Sequence, residues 1–560
     1  MDMKKLIVII FALITIDAVS QNKKQTIDPT VEVNRDFEGK MMEITKGKLG
    51  TAIADSLYRF NMDFNYTIFN KPYRDLYEFS PVESANLPQL ESKSYPSLVA
   101  KLGIGYPLAP EAEIIYTPEL EGNHFLKLAG NFGMYKGDVP LYTTDAGKIA
   151  NSGNNTENKE NDYGVGAAYT YAWRSGEFTA TAGYKGGKRS YFQSGDPQLW
   201  HRFNQIEGGI GVKSSGAGKY GQKFNYILKG DFRYTEDNPL KENLVSIAGE
   251  LGPTVGRYNR FMIEIGGKYL KYSGTANYHY GLFGVTPQYR FANGNLNVNL
   301  GVKIEGKFTD DTLGRDNFHN TIFPAANLSF GIVPQKLWLF AKVDGWNNLN
   351  AWFDVFALNN WITPEETFAA SSVPVHAQAG FQGRITDKFS YRLYAGYSMH
   401  KGLLQFAYNL DKGHFTAFNS NHDEFMAGAV LDVATEPFQG GVSFKYTSFT
   451  QGKKSTFIDG IDAVGVPQLQ GEIYGKYNWN NRLSIGASCH LQGKSKALCT
   501  NGNLVDADGF ADLGATVEYA VSPAFTAWLK GENILGAETL YTPFYQRKMR
   551  GILAGIIIKL

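Results

Sequence analysis

Along most of this chain, apolar and polar residues alternate one by one in stretches of roughly ten, the period of an extended strand that meets a different medium on each face. In the clearest stretch Leu296, Val298, Leu300, Val302 and Ile304 share one face, while Asn297, Asn299, Gly301, Lys303 and Glu305 take the other. The split recurs at Phe261, Ile263, Ile265 and Tyr269 against Glu264, Gly266 and Lys268, and at Phe389, Tyr391, Leu393, Ala395 and Tyr397 against Ser390, Arg392 and Gly396. Late in the chain Val442, Phe444 and Tyr446 oppose Ser443, Lys445 and Thr447, and Leu513, Ala515, Val517 and Tyr519 oppose Gly514, Thr516 and Glu518. A two-sided soluble core could not hold the second set unpaired, so one face is expected to meet lipid and the other water. A secreted sandwich or propeller also alternates, but with shorter strands and fewer aromatics on its exposed faces.

The connections alternate in length as well. Tight ones fall at 174–177, 292–294, 334–335, 387–388, 436–437, 480–481 and 522–523, with longer polar stretches at 137–161, 351–372, 401–421, 451–462, 493–506 and 535–548. Short periplasmic turns and long outer loops are the asymmetry of an outer-membrane barrel. Under that constraint strands are expected to begin near residues 95, 110, 123, 161, 176, 201, 223, 240, 258, 277, 295, 320, 335, 373, 387, 422, 437, 464, 482, 507, 523 and 549, about 22 in all. The predicted fold class is all-β: a transmembrane antiparallel β-barrel over residues 95–560, preceded by a short periplasmic or lumenal segment.

Composition agrees. Aromatic residues make up 14% of the chain, with 33 Tyr and 37 Phe beside 61 Gly, as aromatic girdles and curved strands require. Mean hydropathy is negative and no apolar run is long enough for a spanning helix. The first twenty residues read as a secretory signal peptide, basic up to Lys5, apolar from Leu6, and small at Ala18 and Ser20; no Cys follows to take a lipid anchor. Residues 21–94 are then an N-terminal segment in the place of a reduced plug, with a short helix expected at 51–60. The expected location is the outer membrane of a Gram-negative bacterium.

Charge narrows the partners. Lys and Arg number 55 against 54 Asp and Glu, a net charge of +1, with no basic run of the kind that neutralises phosphates, so nucleic acid is not an expected partner. Nine His are scattered without metal-ligand spacing, and no nucleophile, base and orienting group can be assembled, so neither cofactor, metal nor enzymatic activity is expected. Gly208, Gly209 and Gly211 read as strand curvature rather than a phosphate loop, since no Lys-Ser/Thr follows. Cys489 and Cys499 flank an expected turn near Gly493 to Lys496; a hairpin there would bring them together as a disulfide, the alternative being two unpaired thiols. Lys268, Lys303, Lys307, Arg392 and Lys445 are expected on the lumen face with Glu264, Glu305 and Glu518, either as a selective pore lining or as salt bridges that stiffen the wall.

The closing stretch carries a resemblance. Trp528-Leu529-Lys530-Gly531-Glu532-Asn533-Ile534-Leu535, then Tyr541 to Tyr545, then Arg550-Gly551-Ile552-Leu553-Ala554-Gly555 and an apolar end resemble the last hairpin of the 22-stranded barrels of TonB-dependent receptors. Those strands usually end in Phe; this one ends in Leu560. Ser94 to Tyr106, Glu113-Ile114-Ile115-Tyr116 and His124 to Tyr135 are similar to the opening of a plugless branch of such barrels, whose short extended leader Val31 to Phe37 also resembles. The run Thr30-Val31-Glu32-Val33 is too generic to serve as a TonB box, so TonB-driven transport is not implied. The resemblance implies a channel or uptake component for an unidentified solute. The alternative is a structural barrel subunit of a complex for surface-protein assembly or export. Expected partners are outer-membrane lipid and either a surface lipoprotein or other outer-membrane complex subunits. A barrel this wide leaks unless its lumen is filled, by residues 21–91, by inward-folded outer loops or by a partner.

Overall fold

The computed structural model describes residues 96–190, 200–215, 224–274, 277–310, 316–364, 368–450, 452 and 461–560. The signal peptide, the 21–94 segment, the 30–33 run and the 51–60 helix lie outside these residues. Strands alternate up and down from Leu98–Tyr106 to Gly551–Lys559, each hydrogen-bonded to its neighbour in an antiparallel ladder. Of the 24 strands among the described residues, Ser495–Cys499 and Leu504–Ala507 form a hairpin within an outer loop, and the other 22 build the barrel wall.

The wall closes on itself. Leu98–Tyr106 pairs antiparallel with Gly551–Lys559, in register from Val99 opposite Lys559 to Tyr106 opposite Ile552. The seam is tied off where Leu98 N–H donates to Leu560 O at 2.9 Å and Leu560 N–H donates to Leu98 O at 2.8 Å. An even strand count permits this closure with both ends on one side, and no edge is left with unpaired backbone groups.

Period-two patterning decides which face is which. On Leu296–Asp310, Leu300, Val302 and Ile304 are 53%, 47% and 49% exposed, while the Lys303 and Glu305 side chains between them are 24% and 14% exposed. Large apolar side chains on this outward face recur on strand after strand, as at Val165, Ile210, Ile247, Phe283, Ile322, Phe381 and Ile485. An apolar surface so extensive and continuous around the molecule is compatible with hydrocarbon and not with water. The protein is therefore an outer-membrane β-barrel. The short connections and both barrel ends share one side, which is the periplasmic one; there Asn480 and Asn481, both at positive φ of 50° and 55°, form the centre of a tight turn that Arg482 N–H closes on Trp479 O at 3.0 Å.

Strand positions match the expectation closely, including the short pair at Glu111–Tyr116 and the start of His124–Asp145. The outer loops differ. Residues 137–161, expected as a polar loop, continue the ladder: His124–Asp145 and Lys148–Trp173 run on beyond the lipid band to a turn at Ala146-Gly147, both at positive φ. Phe389–Asn409 and His414–Ala434 likewise extend through the 401–421 stretch. Above the membrane the outward face is polar, so alternation against lipid disappears although pairing persists. Residues 493–506 do not make a simple return hairpin, because Ser495–Cys499 pairs with Leu504–Ala507 and also lies parallel against Ala407 and Tyr408. This separates the two cysteines: Cys489 sits in the wall opposite Ile473 and Leu513, Cys499 is buried in the loop layer, and both are free thiols rather than the expected disulfide.

The seam yields a test. A Cβ on Gly555 would collide with the Leu102 carbonyl oxygen and the Trp528 ring, whereas one on Gly133 meets nothing within 4 Å. Gly555→Val is expected to cost about 3 kcal/mol or more through overpacking, abolishing the heat-resistant folded band on unboiled gels, while Gly133→Ala leaves that band unchanged.

Candidate functional site: a mouth closed by its own loops

The connection at 349–370 carries apolar side chains that an exposed loop would have no reason to hold. Its short helix, Trp352–Leu358, buries Trp352, Val355 and Phe356, and Ile362 and Phe368 follow them inside. These side chains pack on Phe203, Leu240, Leu270, Tyr272 and Leu282, which belong to strands on another sector of the wall. Their strand neighbours Ile206, Val245, Tyr269 and Phe283 point to lipid, so the packing surface is the lumen side. The loop therefore folds inward, and of the three fillers considered for the lumen the described residues show this one. Trp352 stacks on Phe368 at 5.7 Å between ring centroids and 13° between planes.

Polar contacts clasp the same loop. The Trp352 N–H donates to Glu242, and its indole Nε1–H donates to Asp237 Oδ2 at 3.2 Å. Arg233 donates to Asp354 at 2.8 Å and to Glu242 at 3.4 Å, while Tyr272 OH donates to Asn350 O at 3.2 Å. His201 Nδ1 lies 2.7 Å from Asp237 Oδ1. Glu242 is wholly buried, so its carboxylate depends on these donors. Asp354, in contrast, is 60% exposed on its side chain, and its pair with Arg233 can part at little cost.

Further outer segments lock together beside it. Trp361 stacks on Tyr545 at 4.2 Å and Tyr408 on Phe544 at 4.1 Å, joining the 349–370 loop, the long 389–434 hairpin and the 533–550 loop. Phe415 N–H donates to Trp361 O at 2.9 Å, Thr500 N–H to Tyr408 O at 2.9 Å, Gly465 N–H to Lys496 O at 2.7 Å and Asp506 N–H to Gly147 O at 2.9 Å, so each segment borrows backbone partners from the next. The 533–550 loop starts at Asn533, at positive φ of 44°, whose side chain bridges the turn by accepting from Ala537 N–H and donating to Ala537 O, both at 2.9 Å. It then anchors through Tyr541 OH, which donates to Asp512 at 2.9 Å, Tyr142 OH, which donates to Gln546 at 2.8 Å, and Arg547 Nε, which donates to Glu160 at 2.6 Å. Burial and the neighbouring Asp512 carboxylate push the Tyr541 phenol up, which keeps it a donor. Burial likewise raises the Cys499 thiol, so it stays neutral in this layer.

Below the cap the lumen wall is polar and largely cross-paired. Arg290 reaches Glu250 at 2.7 Å and Glu264 at 2.8 Å; Lys342 meets Asp344 at 2.6 Å, Lys476 meets Glu518 at 3.3 Å, Lys445 meets Glu424 at 3.7 Å and Lys303 meets Glu305 at 4.0 Å. Arg392 lies over the Phe340 ring at 4.8 Å. Of the lumen residues expected from sequence, these pairings favour a wall stiffened by salt bridges; Lys268 and Lys307 share that face. Sequence reasoning did not single out Trp352, Glu242, Arg233, Asp237 or the Tyr408, Phe544 and Tyr545 group. The available signal was the density of apolar side chains between Trp352 and Trp361 inside a loop.

Solved structures share this architecture. The FrpB iron transporter from Neisseria meningitidis (F3-3 variant) is similar with a TM-score of 0.64 at 11% identity, over 84% of this chain and 82% of that one. The copper transporter OprC matches with a TM-score of 0.60 at 10% identity over 83% and 80%, and the siderophore receptor PiuA from Acinetobacter baumannii with 0.60 at 10% over 84% and 82%. No family model and no curated protein matches the sequence. At such identities the likeness is one of fold: a barrel like that of the TonB-dependent receptors, which belongs in the Gram-negative outer membrane.

Replacing Arg547 by Met removes the cation that faces Glu160, whose side chain is only 7% exposed. A loss of about 3 kcal/mol in the docking of the 533–550 loop is expected, seen as faster protease cleavage within that loop on an otherwise heat-resistant barrel.

Proposed function

We propose that this protein is an outer-membrane uptake barrel whose mouth is shut at rest by its own loops and opens when the 349–370 loop leaves the lumen wall. One observation carries the reading: beside its apolar packing on the lumenal face, that loop is held by buried carboxylates and by an Arg233–Asp354 link whose Asp354 side chain is 60% exposed. A wall meant to be sealed for good would use apolar packing alone. Here carboxylates hold the loop through hydrogen bonds, contacts that a solute or a partner protein can replace one for one. The lumen below offers paired cations and anions at intervals down the wall, a surface for a polar solute rather than an apolar one. The neighbouring folds include transporters for iron and copper and a receptor for siderophores. The general role of uptake is extended to this chain, and no metal specificity with it.

Planar-bilayer recording tests this. Wild-type protein is expected to sit almost entirely closed. The pair Trp352→Ala with Glu242→Gln, which removes the main anchor and its acceptor, is expected to raise open probability roughly tenfold or more, as loss of about 1.4 kcal/mol of bias would. Silence of that pair and of a variant lacking residues 350–369 would overturn the channel reading in favour of a structural subunit. Full conductance of the wild type would show that the loops do not close the mouth.

A further inference from the structure

The segment Trp352-Phe353-Asp354-Val355-Phe356 lies on the lumen wall in the manner of a bound ligand. Its polar and aromatic groups are met by strands far from the two that flank the loop, Leu337–Asn348 and Ser371–Thr386. The Trp352 backbone N–H donates to Glu242 and its indole N–H to Asp237. Arg233 donates to Asp354 and lies over the Phe353 ring at 5.5 Å. Phe356 stands 5.3 Å from Phe203, edge-on to His201 at 4.8 Å and under the Arg189 guanidinium at 5.4 Å. Rings, a carboxylate and a backbone donor are thus read by Glu242, Asp237, Arg233, Phe203 and Arg189.

The register joins these residues into one panel. Phe203 stands opposite Asp237 and Asp237 opposite Leu240; one step down the wall Gln205 stands opposite Thr235, Thr235 opposite Glu242 and Glu242 opposite Tyr272. The panel keeps hydrogen-bonding capacity that the loop does not use. Arg189 Nε and Nη1, Arg233 Nε, Gln205 Oε1 and Thr235 Oγ1 are buried without a hydrogen-bond partner among the described residues, and Gln205 and Thr235 are each 1% exposed. Buried polar groups are ordinarily paired, and one left unmet costs the desolvation it has undergone. Seating this loop alone would call for more of the apolar surface that Leu240, Leu270 and Leu282 already supply. Two guanidinium edges, a hydroxyl and an amide oxygen instead suit a chain that brings a further carboxylate and its own backbone amides.

We propose that this panel binds an acidic, aromatic peptide, and that the 349–370 loop is an internal stand-in for it. The peptide's carboxylate takes the place of Asp354 on Arg233, a ring replaces Phe356 against Phe203 and Arg189, and a backbone N–H replaces that of Trp352 on Glu242. A second carboxylate beyond the ring meets Arg189, and the remaining amides meet Gln205 and Thr235. Those added contacts matter because a tethered loop competes at an effective concentration on the order of millimolar, so a peptide that only copied it could not displace it from dilute solution. The inference rests on the uptake reading and gives it a solute class.

Fluorescence anisotropy on the full-length protein in detergent tests this, with N-terminally labelled Trp-Phe-Asp-Val-Phe as probe, in free-acid and amidated forms. A Trp352→Ala, Asp354→Asn variant loosens the loop without touching the wall. It is expected to bind the free acid about tenfold more tightly than the amide, and than the peptide with Asn in place of Asp. Wild type is expected to bind the free acid roughly tenfold more weakly than the variant does, because its loop competes. Adding Arg189→Met is expected to erase the difference between acid and amide, and adding Arg233→Met that between Asp and Asn. The peptide comparisons are read on one folded protein, so they decide the matter even where a wall variant yields no heat-resistant band. Equal affinity for all three peptides, or preferences that survive both Arg substitutions, would overturn the proposal. Bilayer conductance separates it from the uptake reading. Intact preferences on a barrel that stays silent under saturating peptide would keep the peptide site and remove the channel; a conducting loop variant with no peptide preference would keep the channel and remove the peptide.

Discussion

Hydrocarbon offers no partner to a backbone N–H or C=O, and each group left unpaired there costs several kcal/mol. A sheet in a membrane must therefore close, and the pairing of Leu98–Tyr106 with Gly551–Lys559 is where this one does. From closure follow the even number of wall strands, the placing of both ends on one side and the succession of short turns that face the periplasm. The seam brings Gly103 and Gly555 under the Trp528 ring, where side chains would hold the two strands apart.

Closing so many strands also creates the structure's second problem, a lumen too wide for its own side chains to fill. The answer among the described residues comes from the outer side. Apolar side chains that find no lipid above the membrane turn inward and collect in two groups, one around Trp352 and Phe356 on the lumen wall and one around Tyr408, Phe544 and Tyr545 where loops meet. The groups differ in how they are held. Both contain stacked rings; the second is also stitched by backbone hydrogen bonds between segments, and the first by buried carboxylates and one exposed ion pair.

Charged residues take opposite roles on the two faces of one wall. Toward the lumen, cations meet carboxylates on the next strand or the one beyond, as Arg290 does with Glu264 and Glu250, and the charges stiffen the wall. Toward the outside, Lys136 stands opposite Lys159 with Glu157 reaching both, and Lys188 stands opposite Arg202. The near-neutral composition conceals this, because those cations lie in separate strands and converge only through the register.

Sequence alone determined the wall. Alternation between lipid and water is a local property of each strand, so the stretch from Leu296 to Ile304 declares both faces without reference to any other part of the chain, and Asn480-Asn481 declares its own turn. The lumen set of Lys303, Glu305, Lys445 and Glu518 was legible for the same reason. Tertiary structure decided everything above the membrane. With no lipid to write a periodic code, the ladders running on to Ala146-Gly147 and Asn409 looked like loops, and the 495–507 hairpin looked like a simple return that would join Cys489 to Cys499. Trp352 and Phe356 were visible as apolar residues in a loop, but their partners Phe203, Leu240 and Glu242 lie more than a hundred positions earlier. Only a closed wall, which brings distant strands around one lumen, could put them in contact.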